Sequence, residues 1–285
     1  MNDVVRPVAA PAIRMVMPAE TPIFSVPARH NPRLQALAER INADEELRQL
    51  WRSANVNAVD RLGLGDCGEV HVRIVANAAL KLLRLLREAG HQPAEVTHHR
   101  LTPDEAEIIV VLAAALHDLG LAVHIDPAVA ARAGLVLADR KIRELLAGLY
   151  QARERAVLLA EALHAVVALE ANVECLTLEA GVLKLADALD LTKGRARLSA
   201  DDSQRQGAVN TAPVVDEVTI HRAKSPPVRV VLRLTHGAGL PAVEAMLQNK
   251  LERVPLDGLV EMLARVDDGR SGTLQPIHVW RVGAN

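Results

Sequence analysis

The stretch from Thr102 to Gly120 constrains this chain more than any other. Thr102-Pro103-Asp104-Glu105 has the spacing of a capping box, with Thr102 as the cap, Pro103 in the first turn and Glu105 reaching back. From Ile108 to Leu116 every residue is apolar. A helix with no polar stripe has no face for water, so this one belongs inside a bundle. Gly120 stands where a glycine stop is expected. The run closes on His117-Asp118, an imidazole and a carboxylate side by side in oily surroundings. A buried charge needs a partner, and a metal ion satisfies both groups at once.

Composition narrows the alternatives. About half of the 285 residues are apolar, mostly Ala, Leu and Val, with one Phe, one Tyr and two Trp. Such a core packs as helices, and so few aromatic faces make a poor platform for stacking bases. The formal charge of -2 gives no overall attraction for polyanions, so no nucleic-acid partner is expected and any phosphate recognition is local. Cys67 and Cys175 form neither a framework nor a C-x-x-C pair, which predicts a reduced, cytoplasmic protein. No apolar run approaches a membrane span, so no membrane association is expected.

The pattern divides the chain into three parts. Residues 1–30, broken by Pro7, Pro11, Pro18, Pro22 and Pro27, read as a flexible leader. Residues 31–200 read as a helical domain. It opens with two short amphipathic helices over 31–54 and a Gly-rich loop ending at Asp66 or Gly68. A helix over 69–88 follows, with the stripe Ile74, Val75, Ala78, Leu82, Leu85 and Leu86 leading back to His71. Pro127 to Leu149 predicts a helical pair interrupted by Gly134 and Gly148. Two more helices are predicted over 152–170 and 176–191. Residues 201–285 change character: 214–220 and 228–234 alternate as strands, Pro241–Leu251 and Leu256–Val266 are predicted helices, and a last strand lies near 277–282. The expected fold is mainly α, a helical bundle followed by a smaller α/β subdomain. Exposed edges on the C-terminal strands make a homodimer plausible.

Three helices thus direct polar groups inward: His71, His117 with Asp118, and Asp187, with Asp190 three residues later on the same stripe. Two neutral imidazoles and two carboxylates suit a divalent ion with open water positions: Mn, Fe, Co, Ni, Zn or Mg. Water bound to such an ion becomes acidic enough to supply hydroxide near neutral pH, which suits hydrolysis of a phosphoester. Asp118 or Asp190 is expected to orient that water. Lys193, Arg195 and Arg197 follow the Asp187 helix at once. They read either as a phosphate clamp or as cations complementing the helix dipole.

The wording of these segments resembles a known family. His71-Val72-x-Ile74-Val75-Ala76-Asn77, then Leu116-His117-Asp118-Leu119-Gly120, then Glu179-Ala180-Gly181 and Ala186-Asp187-Ala188-Leu189-Asp190 are similar to the HD-domain metal-dependent phosphohydrolase superfamily, and closest to a group with an additional C-terminal α/β segment. The resemblance covers about residues 55–198. It implies that His71, His117, Asp118 and Asp187 are metal ligands, and that His124 and His164 belong to a second shell or a second metal. The chain departs from the group at Cys67, at Ile125-Asp126-Pro127-Ala128, near Ala168-Leu169, and at Leu121 in place of a lysine of other branches. Those departures favour one ion over two. The expected partner is a small phosphorylated substrate. The rivals are a module that binds a nucleotide or metabolite without turnover, and a structural protein whose polar cluster is satisfied internally.

Overall fold

The computed structural model describes residues 23–170, 173–191, 215–267 and 274–282. It is mainly helical, with a small α/β part at the C-terminal end. Among the described residues seven α-helices come first: α1 (Pro32–Ala43), α2 (Glu45–Asn55), α3 (Glu69–Glu88), α4 (Pro103–Leu116), α5 (Pro127–Leu145), α6 (Ala152–Val167) and α7 (Leu178–Ala188). Among the described residues, no helix is long and apolar enough to cross a membrane.

Helix α4 is the axis of the bundle. Every residue from Ala106 to Leu116 is buried, and α3, α6 and α7 pack around it. Its capping box forms as the sequence predicts. Glu105 also accepts from Arg33 Nη1 at 2.7 Å, tying the start of α4 to α1. Asp44 caps α2, accepting from Leu47 N at 2.9 Å, and Thr177 caps α7, accepting from Ala180 N.

Several details differ from expectation. The buried stripe of α3 is rotated from the one predicted: Val72, Val75, Ala76, Ala79, Leu82, Leu83 and Leu86 face inward, while Ile74 is exposed. His71 still heads the buried face. Pro127–Leu145 is one helix and not a pair, because Gly134 packs inside it against Gly120 and does not break it. Gly120 is no helix stop: α4 ends at Leu116 with His117 as its cap, and Gly120 lies in a short 3-10 turn, Leu119–Ala122. Residues 23–30, expected in a flexible leader, are part of the fold. Phe24 is buried and stacks on Trp51 with ring centroids 6.0 Å apart, so the single Phe of the chain anchors them. Residues 1–22, the rest of that leader, and the expected boundary at 199–212 lie outside the described residues.

The C-terminal part is a four-stranded sheet in the order β1 (Val215–Arg222), β2 (Val228–Leu234), β3 (Val260–Asp267), β4 (Leu274–Arg281). The β1–β2 and β3–β4 pairs are antiparallel; β2 and β3 are parallel, joined through α8 (Leu240–Lys250). Leu256–Val266, predicted as a helix, is largely β3. Glu, Met, Leu, Ala and Arg are good helix formers, but pairing with β2 overrides that preference. Val260, Met262 and Ala264 then fall on the buried face.

One buried group bears on stability. Glu95, in a π-helical turn (Glu95–His99), is fully buried, and its neighbour Glu179 accepts from Ala94 N at 2.9 Å. Burial first, and then the carboxyl of Glu179, push Glu95 well above the usual carboxylate range. The folded chain therefore holds a proton that the unfolded chain releases. The associated stability is complete below the ordinary carboxylate pKa and declines as pH rises above it. Glu95→Gln carries no charge at nearly the same shape. Its Tm is expected above wild type at pH 8, with the gap closing at pH 4; an equal gap at both pH values would contradict the assignment.

Candidate metal centre

Four side chains from three helices meet at one end of α4. His71 comes from the first turn of α3 and is fully buried. His117 caps α4, Asp118 follows it, and Asp187 lies in the last turn of α7. Their supports are specific. Trp51 Nε1–H donates to Ala115 O at 2.7 Å, steadying the end of α4. Asn57 Nδ2 donates to Leu121 O at 2.7 Å, steadying the turn after Asp118.

The histidine partners fix the chemistry. His71 Nδ1–H donates to Asp190 Oδ2 at 2.6 Å, and His117 Nδ1–H donates to Ala114 O at 2.9 Å. With the proton on Nδ1, each neutral ring presents an Nε2 lone pair on its opposite edge. Those two Nε2 atoms lie 3.1 Å apart. Asp118 Oδ2 is 3.4 Å from each of them, is buried, and takes part in no hydrogen bond. Asp187 Oδ1 stands 3.4 Å from His71 Nε2 and 3.9 Å from His117 Nε2. Lone pairs turned on one another repel unless a proton or a metal ion lies between them. Donors about 2.1 Å from a common ion at right angles are separated by about 3.0 Å, close to these spacings. The donor set fits a metal ion, and His71, His117 and Asp118 together can hold one.

Electrostatics point the same way. Burial works to lower His117, but Asp118 and then Asp187 outweigh it and lift the imidazole to about 9, so near neutral pH its Nε2 carries a proton that a metal ion would displace. Burial works to raise Asp118, and His117 and His71 hold it far below the usual range. Positive charge is what this cluster attracts.

The remaining expected site residues divide. Asp190 sits behind His71, on the opposite edge of the ring from the cluster, so it orients that ring and does not face the cluster. It follows the end of α7 and does not share a helical stripe with Asp187. His124 Nδ1 accepts from Asp126 N at 2.9 Å in the turn before α5. His164 Nε2 accepts from Leu176 N at 3.1 Å. Both imidazoles serve local structure and neither joins the cluster. Lys193, Arg195 and Arg197 lie outside the described residues. Lys250 carries no local signal of its place here: its Nζ donates to Asp187 Oδ2 at 2.9 Å from 63 positions away. Beside the cluster opens a cleft of about 340 Å³ between the turn after Asp118, α5 and α6.

The role of Asp190 is testable. Asp190→Asn is expected to weaken metal affinity about 10- to 100-fold, read by competition with a chelating dye. Affinity equal to wild type would remove Asp190 from the site.

No family model matches the chain, and no solved structure does. The chain is 30% identical over 224 residues to the uncharacterized protein MJ1020 of Methanocaldococcus jannaschii, an alignment that spans 79% of this chain and 86% of that protein. At that identity and coverage, the chain belongs to the same family as MJ1020.

Proposed function

We propose that this chain is a metal-dependent phosphohydrolase of the HD type, acting on a small phosphate ester. One observation carries the reading: two imidazole Nε2 atoms and a buried carboxylate oxygen converge from separate helices beside an open cleft. A divalent ion held there (Mn, Fe, Co, Ni, Zn or Mg) supplies an acidic bound water and polarises a phosphoryl oxygen. His71, His117, Asp118 and Asp187 bind, and Asp190 and the Ala114 carbonyl keep both rings in the ligating tautomer. Lys193, Arg195 and Arg197 are the proposed additional cations for phosphate. Free thiols at Cys67 and Cys175 accord with a cytoplasmic setting.

A second reading is a module of this fold that binds a phosphorylated ligand without turnover. It is favoured by the engagement of His124 and His164 in local contacts, away from the cluster. The full chain, loaded with each candidate ion in turn, is to be assayed against a panel of phosphomonoesters, nucleotides and cyclic dinucleotides. The hydrolase predicts turnover that a chelator removes and added ion restores. Metal-dependent ligand binding with no turnover on the whole panel would select the second reading.

A further inference from the structure

We propose that Lys250, delivered by the C-terminal subdomain, is the anion-binding residue of the cleft beside the metal cluster, and that this cleft takes the monophosphate ester of a small aliphatic alcohol. The phosphate half of this assignment rests on the phosphohydrolase reading. The aliphatic half rests on the cleft itself.

The position of Lys250 is built by both parts of the chain. Asp187 is shared: its Oδ1 faces the imidazoles and its Oδ2 accepts from Lys250 Nζ. The lysine side chain is 40% exposed, so its ammonium stands at the edge between cluster and solvent. The subdomain that carries it is seated closely on α7. A Cβ added at Gly181 would come within 2.9 Å of Pro255 Cδ, and Cys175 N–H donates to Arg253 O at 3.1 Å. A lysine is a compact charge on a flexible stem, able to exchange a carboxylate for a phosphate oxygen without leaving its place.

The cleft lining specifies the rest of the ligand. Among the described residues, Lys250 is its single Lys or Arg. Two of its three carboxylates, Asp118 and Asp187, belong to the cluster, and the third is Glu170. Among the described residues the wall is aliphatic, with Leu121, Ile125, Leu135, Val166 and Leu169 prominent; its one ring is the His117 imidazole of the cluster, and it carries no Phe, Tyr, Trp, Ser, Thr, Asn, Gln or Arg side chain. A nucleobase needs a stacking face and partners for its polar edge, and a sugar needs partners for its hydroxyls. Against this wall those groups would give up water without finding side-chain partners among the described residues. A volume of about 340 Å³ is at the small end for ligand sites. One phosphate, beside the cluster and Lys250, with a short hydrocarbon on the wall, satisfies each of these conditions.

The test uses the full chain loaded with Mn(II) and the non-hydrolysable probes methyl-, butyl- and hexylphosphonate, with adenosine monophosphate as the polar comparison. Calorimetric titration is expected to give tighter binding with chain length, at least about tenfold from methyl to hexyl. The nucleotide should bind more weakly than hexylphosphonate. Lys250→Met keeps the stem and should weaken every phosphonate about tenfold, Lys250→Arg should retain affinity, and Leu135→Gln should flatten the chain-length series. Affinity independent of chain length, tighter binding of the nucleotide, or no effect of Lys250→Met would overturn the assignment. Turnover separates it from the reading beneath it. Chain-length-dependent phosphonate binding without hydrolysis of hexyl phosphate leaves the ligand class standing and removes the hydrolase. Phosphate-ester hydrolysis with flat phosphonate affinities does the reverse.

Discussion

Asp118→Asn is expected to abolish metal uptake, with affinity falling more than about 100-fold. Its Oδ2 lies 3.4 Å from both Nε2 atoms and has no hydrogen bond to fall back on. The amide keeps the volume but removes the negative charge that a divalent ion requires. It also removes the largest interaction lifting His117, so that imidazole should titrate lower than in wild type. An ion that binds only the folded state raises stability by about 2.7 kcal/mol at one hundred times its Kd. Wild type should therefore show a metal-dependent rise in Tm, and Asp118→Asn should show none. A variant that still gained stability from the same ion would place the metal elsewhere.

Gly120→Ala is expected to be the most damaging small substitution in the helical part. A Cβ there would stand 1.9 Å from Ala130 O and 2.6 Å from Ala130 C, both backbone atoms of α5. No side chain can swing aside to relieve that overlap, so the 3-10 turn and α5 have to part. Ordinary overpacking costs about 1–3 kcal/mol, and a forced separation of backbones lies at or above the upper end. The expected result is a Tm lower by about 10 °C or more, or failure to fold. Because Gly120 is two residues after Asp118, any folded fraction should bind metal less tightly. Gly134→Ala is the control: its Cβ meets Gly120 at 3.2 Å, a milder contact, and its loss should be smaller. Equal and slight effects at both positions would contradict the close approach of turn and helix.

What was legible depended on how local the cause was. The capping box and apolar run of α4 specify that helix within 15 residues, and Val228–Leu234 alternates so regularly that its bounds agree with the strand. His71, His117, Asp118 and Asp187 were readable because each interrupts an otherwise apolar inward face. Long-range causes were not readable. The helix formers of 260–266 become a strand because β2 supplies a parallel partner 32 positions earlier. Gly120 looks like a helix stop, yet its use is to admit the α5 backbone. Asp190 looks like a third carboxylate of the site, and only the turn after α7 carries it behind His71. Lys250 reads as an ordinary cation at a helix end until α8 is seated on α7.

The central claim is that the cluster at the end of α4 is a metal centre. Elemental analysis of the full-length wild-type chain, stripped with a chelator and then equilibrated with Mn, Fe, Co, Ni, Zn and Mg, tests it most directly. One equivalent of a divalent ion per chain, absent from Asp118→Asn treated in the same way, is the expected result. No ion retained by wild type from any of the six would contradict it and leave the four side chains as an internal polar cluster.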